Sequence, residues 1–350
     1  MWQEWLTCMG QRRVALCIPW GGEAIPLIYW YGVLAAVGIA VGAWYASRHL
    51  SKENEDPEIV WDALLWLLIP ALLGARLWYV GQAMLAGTGT YSLSDPLSII
   101  NPRQGGMNIF GGAIAGLIAL LIYVRVKKVN GWVLADAGLM GLLVGQGIGR
   151  FGNFINIELY GPPTGSSWWG MRVPSAYRLP QFADLPEDTL FHPTMLYEAF
   201  WLFLSFGVLY FLFRRYQKYI IQGALAGSYF ILAGIGRFIM EFWRPDQPGI
   251  ILDSGAVFSY SRMLSIFYVI MGIVIVLDRY GYMRIPFINR PPTLRQRERH
   301  FEELERQRRI EARRAERERA LAERRQARLR RASQAPDRQA SPPVSEAEKQ

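Results

Sequence analysis

Seven times in its first 290 residues the chain runs apolar for about 18 residues or more, the length a helix needs to cross the hydrocarbon core of a bilayer. The runs lie near Leu27–Ala46, Val60–Val80, Gly106–Val126, Trp132–Gly149, Pro193–Phe213, Gln222–Phe242 and Ala256–Leu277. In lipid every backbone N–H and C=O must be satisfied from within, so such runs read as helices and not as open strands. Composition agrees: 51% of residues are hydrophobic, 13 are Trp, and only 19% are charged, against about 25% in soluble domains. From Pro291 onward 17 Lys and Arg stand against 11 Asp and Glu, so the tail holds six of the nine net positive charges. The expectation is an all-α polytopic membrane protein with seven transmembrane helices over residues 27–290. Residues 1–26 read as an interfacial segment, and residues 291–350 as a charged tail. No fixed-period repeat is visible.

The short loops set an orientation. "SRHLSK", "VRVKK", "FRRYQK" and "DRYGYMR" close spans 1, 3, 5 and 7 with Lys and Arg, which the positive-inside rule assigns to the cytoplasm. The N-terminus and the loops 83–105, 150–192 and 243–255 then face outward, and the tail is cytoplasmic. Some outer loops also carry arginines. The first twenty residues lack the apolar core and small-residue cleavage site of a signal peptide. Cys8 and Cys17 are the two cysteines; an outward-facing pair can bridge, but spacing alone does not decide it. Two cysteines and three scattered histidines offer no metal site.

On this topology the polar residues of six spans reach one leaflet. Tyr31 lies early in span 1, Arg76 in the outer third of span 2, and "GGMNIFGG" opens span 3. Arg150, Asn153, Asn156 and Glu158 leave the outer end of span 4. His192 enters span 5, with Tyr197 and Glu198 deeper, and Arg237 and Glu241 end span 6, with Arg244 following. Ionisable groups at membrane depth are costly and usually face a bundle interior or a wet cavity. Bland roles remain open for several of them. Arg237 and Glu241 stand i, i+4 and can simply pair. Arg76 can snorkel to headgroups, Tyr31 can belong to the aromatic belt, and His192 can sit at a water edge. Asp136 reads as a structural partner, and the glycines of "GLLVGQGIG" as close helix contacts.

"GRFGNFINIELYG", residues 149–161, resists a bland reading best. Gly147, Gly149 and Gly152 are expected to interrupt span 4 as it emerges. Arg150 offers a planar, permanently charged fork suited to phosphate. Beside Arg237 and Arg76 it makes a phosphate site at the bilayer surface, whose natural occupant is a phospholipid headgroup.

That stretch resembles the signature of the bacterial prolipoprotein diacylglyceryl transferases at Gly149, Arg150, Gly152, Asn153, Phe154, Asn156, Glu158 and Gly161. "WYG", "GARLWYV", "GGM", "HPTMLYE" and "GRFIMEFWRPD" match the family's other blocks in order, across roughly residues 25 to 285. The resemblance implies a seven-span enzyme of the bacterial plasma membrane with its site outward. It would transfer the diacylglyceryl group of phosphatidylglycerol to the lipobox cysteine of a prolipoprotein signal peptide, releasing glycerol phosphate, with no cofactor. Charge grows on the departing phosphate, so fixed guanidiniums stabilise the transition state beyond the ground state. The clamp falls to Arg150 and Arg237, with Asn153, Tyr31, Asn156 and His192 around the headgroup and Arg76 behind them. Many members carry a histidine where this chain has Phe110, and a tyrosine where it has Ala233. The thiol base therefore falls first to Glu241, then Glu158, then His192. A carboxylate between arginines is a weak base, and arginine-assisted thiolate formation can carry the step.

The long Pro/Gly-rich loop "GPPTGSSWWGMRVP" reads as a lid or a belt-anchored cap. In the tail, residues 295–331 favour a solvated, partly helical extension without a coiled-coil heptad, and the last residues have a disordered composition. Attraction to anionic membrane lipids is the alternative role; no nucleic-acid partner is expected. The rival to an enzyme is a phospholipid-binding or lipid-moving membrane protein.

Overall fold

The computed structural model describes residues 13–20, 23–87, 91, 99, 106–244, 249–251, 257–285 and 294–333. It forms two compact units, Met1–Leu294 and Arg295–Gln350. In the first, seven helices are long and apolar enough to cross a membrane. They are α1 (Trp30–Lys52), α2 (Glu58–Leu85), α3 (Ile109–Lys127), α4 (Gly131–Asn156), α5 (Thr194–Tyr216), α6 (Ala224–Met240) and α7 (Tyr260–Arg279).

Three span ends depart from the sequence expectation, each for a local reason. The segment before α1 was read only as interfacial, and span 1 was expected to start at Leu27. Its described residues form two paired strands, β1 (Val14–Trp20) against β2 (Glu23–Tyr29). In sequence the two strands are rich in β-branched residues and separated by Gly21-Gly22, a hairpin signal that the apolar run concealed. Cys17 on β1 is disulfide-bonded; Cys8 lies outside the described residues. Span 7 begins at Tyr260 and not near Ala256, because Val257–Ser259 (β6) pairs with Gly249–Ile251 (β5). Ser259 then caps the helix, its hydroxyl accepting from the Arg262 N–H at 3.2 Å. Most consequential, α4 does not end at Gly149 but runs on to Asn156 and closes at Ile157 in the left-handed conformation, φ 57°. Its glycines make room for rings instead of breaking the helix. A side chain at Gly147 would strike Phe203, and one at Gly152 would strike Tyr31.

Helix α4 is the central element, packed against α1, α5 and α6. It meets α1 through facing glycines: a Cβ at Gly38 or Gly42 would lie 2.7 Å from the carbonyl oxygen of Gly145 or Gly141. Lipid offers no hydrophobic drive for helix association, so such close backbone contact supplies the attraction through dispersion. Gly74 with Gly111 joins α2 to α3 in the same way, and Gly227 with Gly272 joins α6 to α7. One buried cluster spans Ala43, Leu50, Ala63, Tyr123 and Ala137. A second joins Tyr45, Met140, Leu143, Phe213 and Tyr229. Leu65, Ile69, Leu117, Phe211 and Phe267 point outward and are exposed, as befits side chains solvated by lipid. Asp136, buried in α4, accepts from the backbone N–H groups of Gly223 and Ala226 at 2.7 Å each. It thus caps the start of α6 from a neighbouring helix.

The loop between α4 and α5, read from its composition as a lid or a belt-anchored cap, has regular structure of its own. Met171–Arg172 (β3) pairs with Leu190–Phe191 (β4), and Tyr160, Met171, Val173, Phe191 and Met195 close a small apolar core. The fully buried Arg178 side chain donates to the carbonyls of Val173, Leu185 and Pro186, so one guanidinium holds the loop together.

The described residues of the second unit belong to α8, Leu294–Ser333, a single helix of 40 residues.

Candidate functional site

The extension of α4 places Arg150 nearly two turns before the helix end at Asn156, beside the start of α5. Glu198, one turn into α5, is buried to 6% exposure and sits in an otherwise apolar helix. A buried carboxylate there needs cationic partners, and it has three. Arg150 Nε lies 2.7 Å from Oε2, and Arg237 Nη1 and Arg244 Nη2 each lie 3.2 Å from Oε1. Arg150 comes from α4, Arg237 from the last turn of α6, and Arg244 from just beyond the 3-10 turn Glu241–Trp243. The two arginines that sequence reasoning paired as a clamp therefore share one carboxylate.

Arg237 and Arg150 are fixed further. Arg237 donates from Nε to the Ser261 hydroxyl of α7 at 2.7 Å and pairs through Nη2 with Glu241 at 3.1 Å. The i, i+4 pairing thus exists within a larger network, beside the contact with Glu198. Glu241 is buried, and neither of its oxygens receives a well-aligned hydrogen bond among the described residues. Arg150 reaches Asn153 Oδ1 at 3.4 Å, and Asn153 Nδ2 passes the chain on to Glu158 at 3.4 Å. Asn156 Nδ2 donates to the other oxygen of Glu158 at 3.1 Å. The helical extension is what lets Arg150 and Asn153, three residues apart, face one another.

The core of the site therefore holds three guanidiniums and two carboxylates, one positive charge in excess. The side chains of Arg150 and Arg237 remain 29% and 27% exposed, while Arg244 is nearly buried at 7%. Burial pushes the Arg244 guanidinium below its usual value, opposed by Glu198. Two partly open arginines stand over a buried anionic anchor, an arrangement whose charge and donors could hold one singly charged phosphodiester.

The remaining expected residues lie around this core in different ways. Tyr31, half exposed, stacks its ring on Gly152 and lines a cavity of about 570 Å³ with Arg13, Tyr29 and Asn156. Arg13 ties the hairpin to α4, donating to the Asn156 carbonyl at 2.8 Å. His192 precedes α5 and its Nδ1 lies 3.1 Å from the Tyr197 hydroxyl, which also accepts from Trp169 Nε1 at 3.0 Å. Burial lowers its imidazole below the ordinary 6.5. Arg76 is buried but belongs to a different neighbourhood. It donates to the carbonyls of Ile99 at 2.8 Å and Gly106 at 3.1 Å and lies over the Tyr91 ring, and it is not a partner of Glu198. Phe110 lies half exposed in the first turn of α3, and Ala233 packs into the second core cluster.

Sequence reasoning named Glu198 and Arg244 in passing and ranked neither as a site residue. The signal was present: a lone carboxylate inside an apolar span requires a cation. Which cations would reach it depends on how three helices pack.

Among the described residues no group of three His, Cys, Asp or Glu could hold a metal ion.

Residues 24–277 match the family model described as prolipoprotein diacylglyceryl transferase. The chain is 34% identical over 264 residues to the phosphatidylglycerol–prolipoprotein diacylglyceryl transferase of Thermosynechococcus vestitus, covering 75% of this chain and 90% of that relative. With the enzyme of the same name from Enterococcus faecalis the identity is 33% over 269 residues, again covering 75% and 90%. With that of Chloroflexus aggregans it is 35% over 231 residues, covering 63% and 74%.

Proposed function

The chain belongs to the prolipoprotein diacylglyceryl transferase family, and from that premise we propose how its arginine cluster performs the reaction. The protein is a membrane transferase that moves the diacylglyceryl group of phosphatidylglycerol to prolipoproteins. The acceptor atom is the thiol sulfur of the lipobox cysteine. The thiolate attacks the glyceryl carbon that carries the phosphate ester, a C–S bond forms, and the C–O bond breaks. Its electron pair leaves on glycerol phosphate, and the thiol proton goes to a nearby acceptor or to water.

Arg150 and Arg237 hold the phosphodiester and stabilise the second negative charge that develops on departure; Arg244 adds its field from beneath. Their positions are fixed before substrate arrives, because Glu198, Ser261, Glu241 and Asn153 already hold them. Preorganised donors of this kind are the main source of electrostatic catalysis. Glu241 orients Arg237 and offers two poorly satisfied oxygens to a donor on the substrate. Glu158, held by Asn153 and Asn156, fixes the rim. Neighbouring guanidiniums also favour the thiolate over the thiol, whose ordinary pKa is about 8.5, so a dedicated histidine base is not required. The Lys- and Arg-rich loops support an outward-facing site, since the cluster lies at the opposite ends of the helices from those loops.

The observation that carries this reading is the convergence of three guanidiniums within 3.2 Å of the Glu198 carboxylate. Its test supplies the purified protein with phosphatidylglycerol and a lipobox peptide. A diacylglyceryl mass gain on the cysteine, with stoichiometric glycerol phosphate, is expected. Lipid binding without mass gain would reassign the site to lipid binding alone.

A further inference from the structure

At a rise of 1.5 Å per residue, α8 is about 60 Å long; Glu305 pairs with Arg309 at 3.7 Å near its start, and between residues 306 and 324 most of the arginines share one side. Projected at 3.6 residues per turn, Arg306, Arg309, Arg313, Arg317 and Arg324 fall on one line in steps of three or four, with Ala320 completing the row. Arg314 lies beside the row. Glu311, Glu316, Glu318 and Glu323 fall outside this face. Ile310 and Leu321, the two large apolar residues exposed among the described side chains of α8, lie on the arginine side, each four residues after an arginine of the row.

Between residues 306 and 324, six of the eight arginines thus share a side that is free of glutamate and carries two bare aliphatic side chains, whereas Arg308 and Arg319 project to the opposite side. A coiled-coil partner is not indicated, because the apolar residues form no heptad seam. We propose that residues 306–324 of α8 are a docking face for an anionic lipid surface. The guanidiniums pair with lipid phosphates, and Ile310 and Leu321 enter the headgroup boundary. In sequence α8 follows the transmembrane helix α7 after only the fourteen residues 280–293. The exposed aliphatics favour that surface over a nucleic acid, whose phosphate backbone offers them nothing. Basic side chains near an anionic bilayer act additively, and the attraction falls off within a Debye length.

The test uses the full chain in nanodiscs of phosphatidylcholine alone or with about 30% phosphatidylserine, an anionic lipid other than the named substrate. Backbone hydrogen exchange across residues 306–324 should slow roughly tenfold in the anionic discs, and the slowing should vanish at about 0.5 M NaCl. The variant R306Q/R313Q/R317Q/R324Q should lose the protection, while R306K/R313K/R317K/R324K, which keeps charge and helix propensity, should retain it. Equal exchange in both lipid compositions, loss in both variants, or slowing that needs added RNA would each overturn the proposal.

Discussion

Glu198 carries one negative charge and holds three positive ones, so the consequences of changing it differ from those of changing Arg150. Replacing it with Gln leaves Arg244, only 7% exposed, without its anion. Breaking a buried ion pair costs about 3–5 kcal/mol. Glu198→Gln should therefore lower both the unfolding temperature and the transfer rate, read by thermal unfolding and the peptide assay. Arg150→Gln should instead leave folding largely intact and lower kcat by about 10²–10³, whereas Arg237→Gln should lower both kcat and the unfolding temperature, because the buried Glu241 loses its paired cation. Arg76→Gln should show the reverse balance to Arg150→Gln, because its donors serve the carbonyls of Ile99 and Gly106 and not the cluster. His192 gives a pH signature. Burial holds its imidazole below 6.5, so the unfolded chain takes up the proton more readily. Stability should be level above that pH and fall as pH drops through it, and His192→Gln should flatten the slope in a pH series of unfolding temperatures. Arg150, Asn153, Glu158, Arg237 and Glu241 were legible in the sequence as polar residues at membrane depth. The part played by Glu198 was not, since a carboxylate's partners are chosen by which helix ends meet.

Helices were legible because length and hydropathy alone decide them in lipid; their ends were not. The run from Leu27 looked like the start of a span, yet Leu27 to Tyr29 belongs to a strand held by β1. The glycines near residue 150 looked like a break, yet they accommodate Phe203 and Tyr31 against an unbroken α4. That difference matters, because only a continuous helix sets Arg150 and Asn153 on one face. The glycine contact between α1 and α4 can be tested directly. A leucine at Gly42 would drive its Cβ to 2.7 Å from the Gly141 carbonyl oxygen, and both are backbone positions that cannot step aside. Gly42→Leu should reduce folded yield and lower the unfolding temperature in detergent. Removing residues 293–350, in contrast, should leave diacylglyceryl transfer intact, since every residue of the arginine cluster precedes them; a folded truncation without turnover would refute this.

For the whole molecule, the orientation follows from charge. Lys and Arg at alternate ends of the seven spans support the proposed orientation, in which the arginine cluster would face outward and the charged tail the cytoplasm. A cysteine introduced as Ser166→Cys in the α4–α5 loop should react with a membrane-impermeant thiol reagent in intact cells. One introduced as Glu55→Cys, between α1 and α2, should react only after permeabilisation. What the sequence determined by itself was that this chain must be a bundle of membrane helices with a charged helical tail, because lipid admits almost no other solution for such apolar runs. It also determined that some polar residues would be costly to bury there. Only the tertiary structure decided that Arg150, Arg237 and Arg244 converge on Glu198 while Arg76 turns to a loop. Charges 39 to 48 residues apart in sequence find one another through packing, and packing depends on the glycine contacts between the helices that carry them.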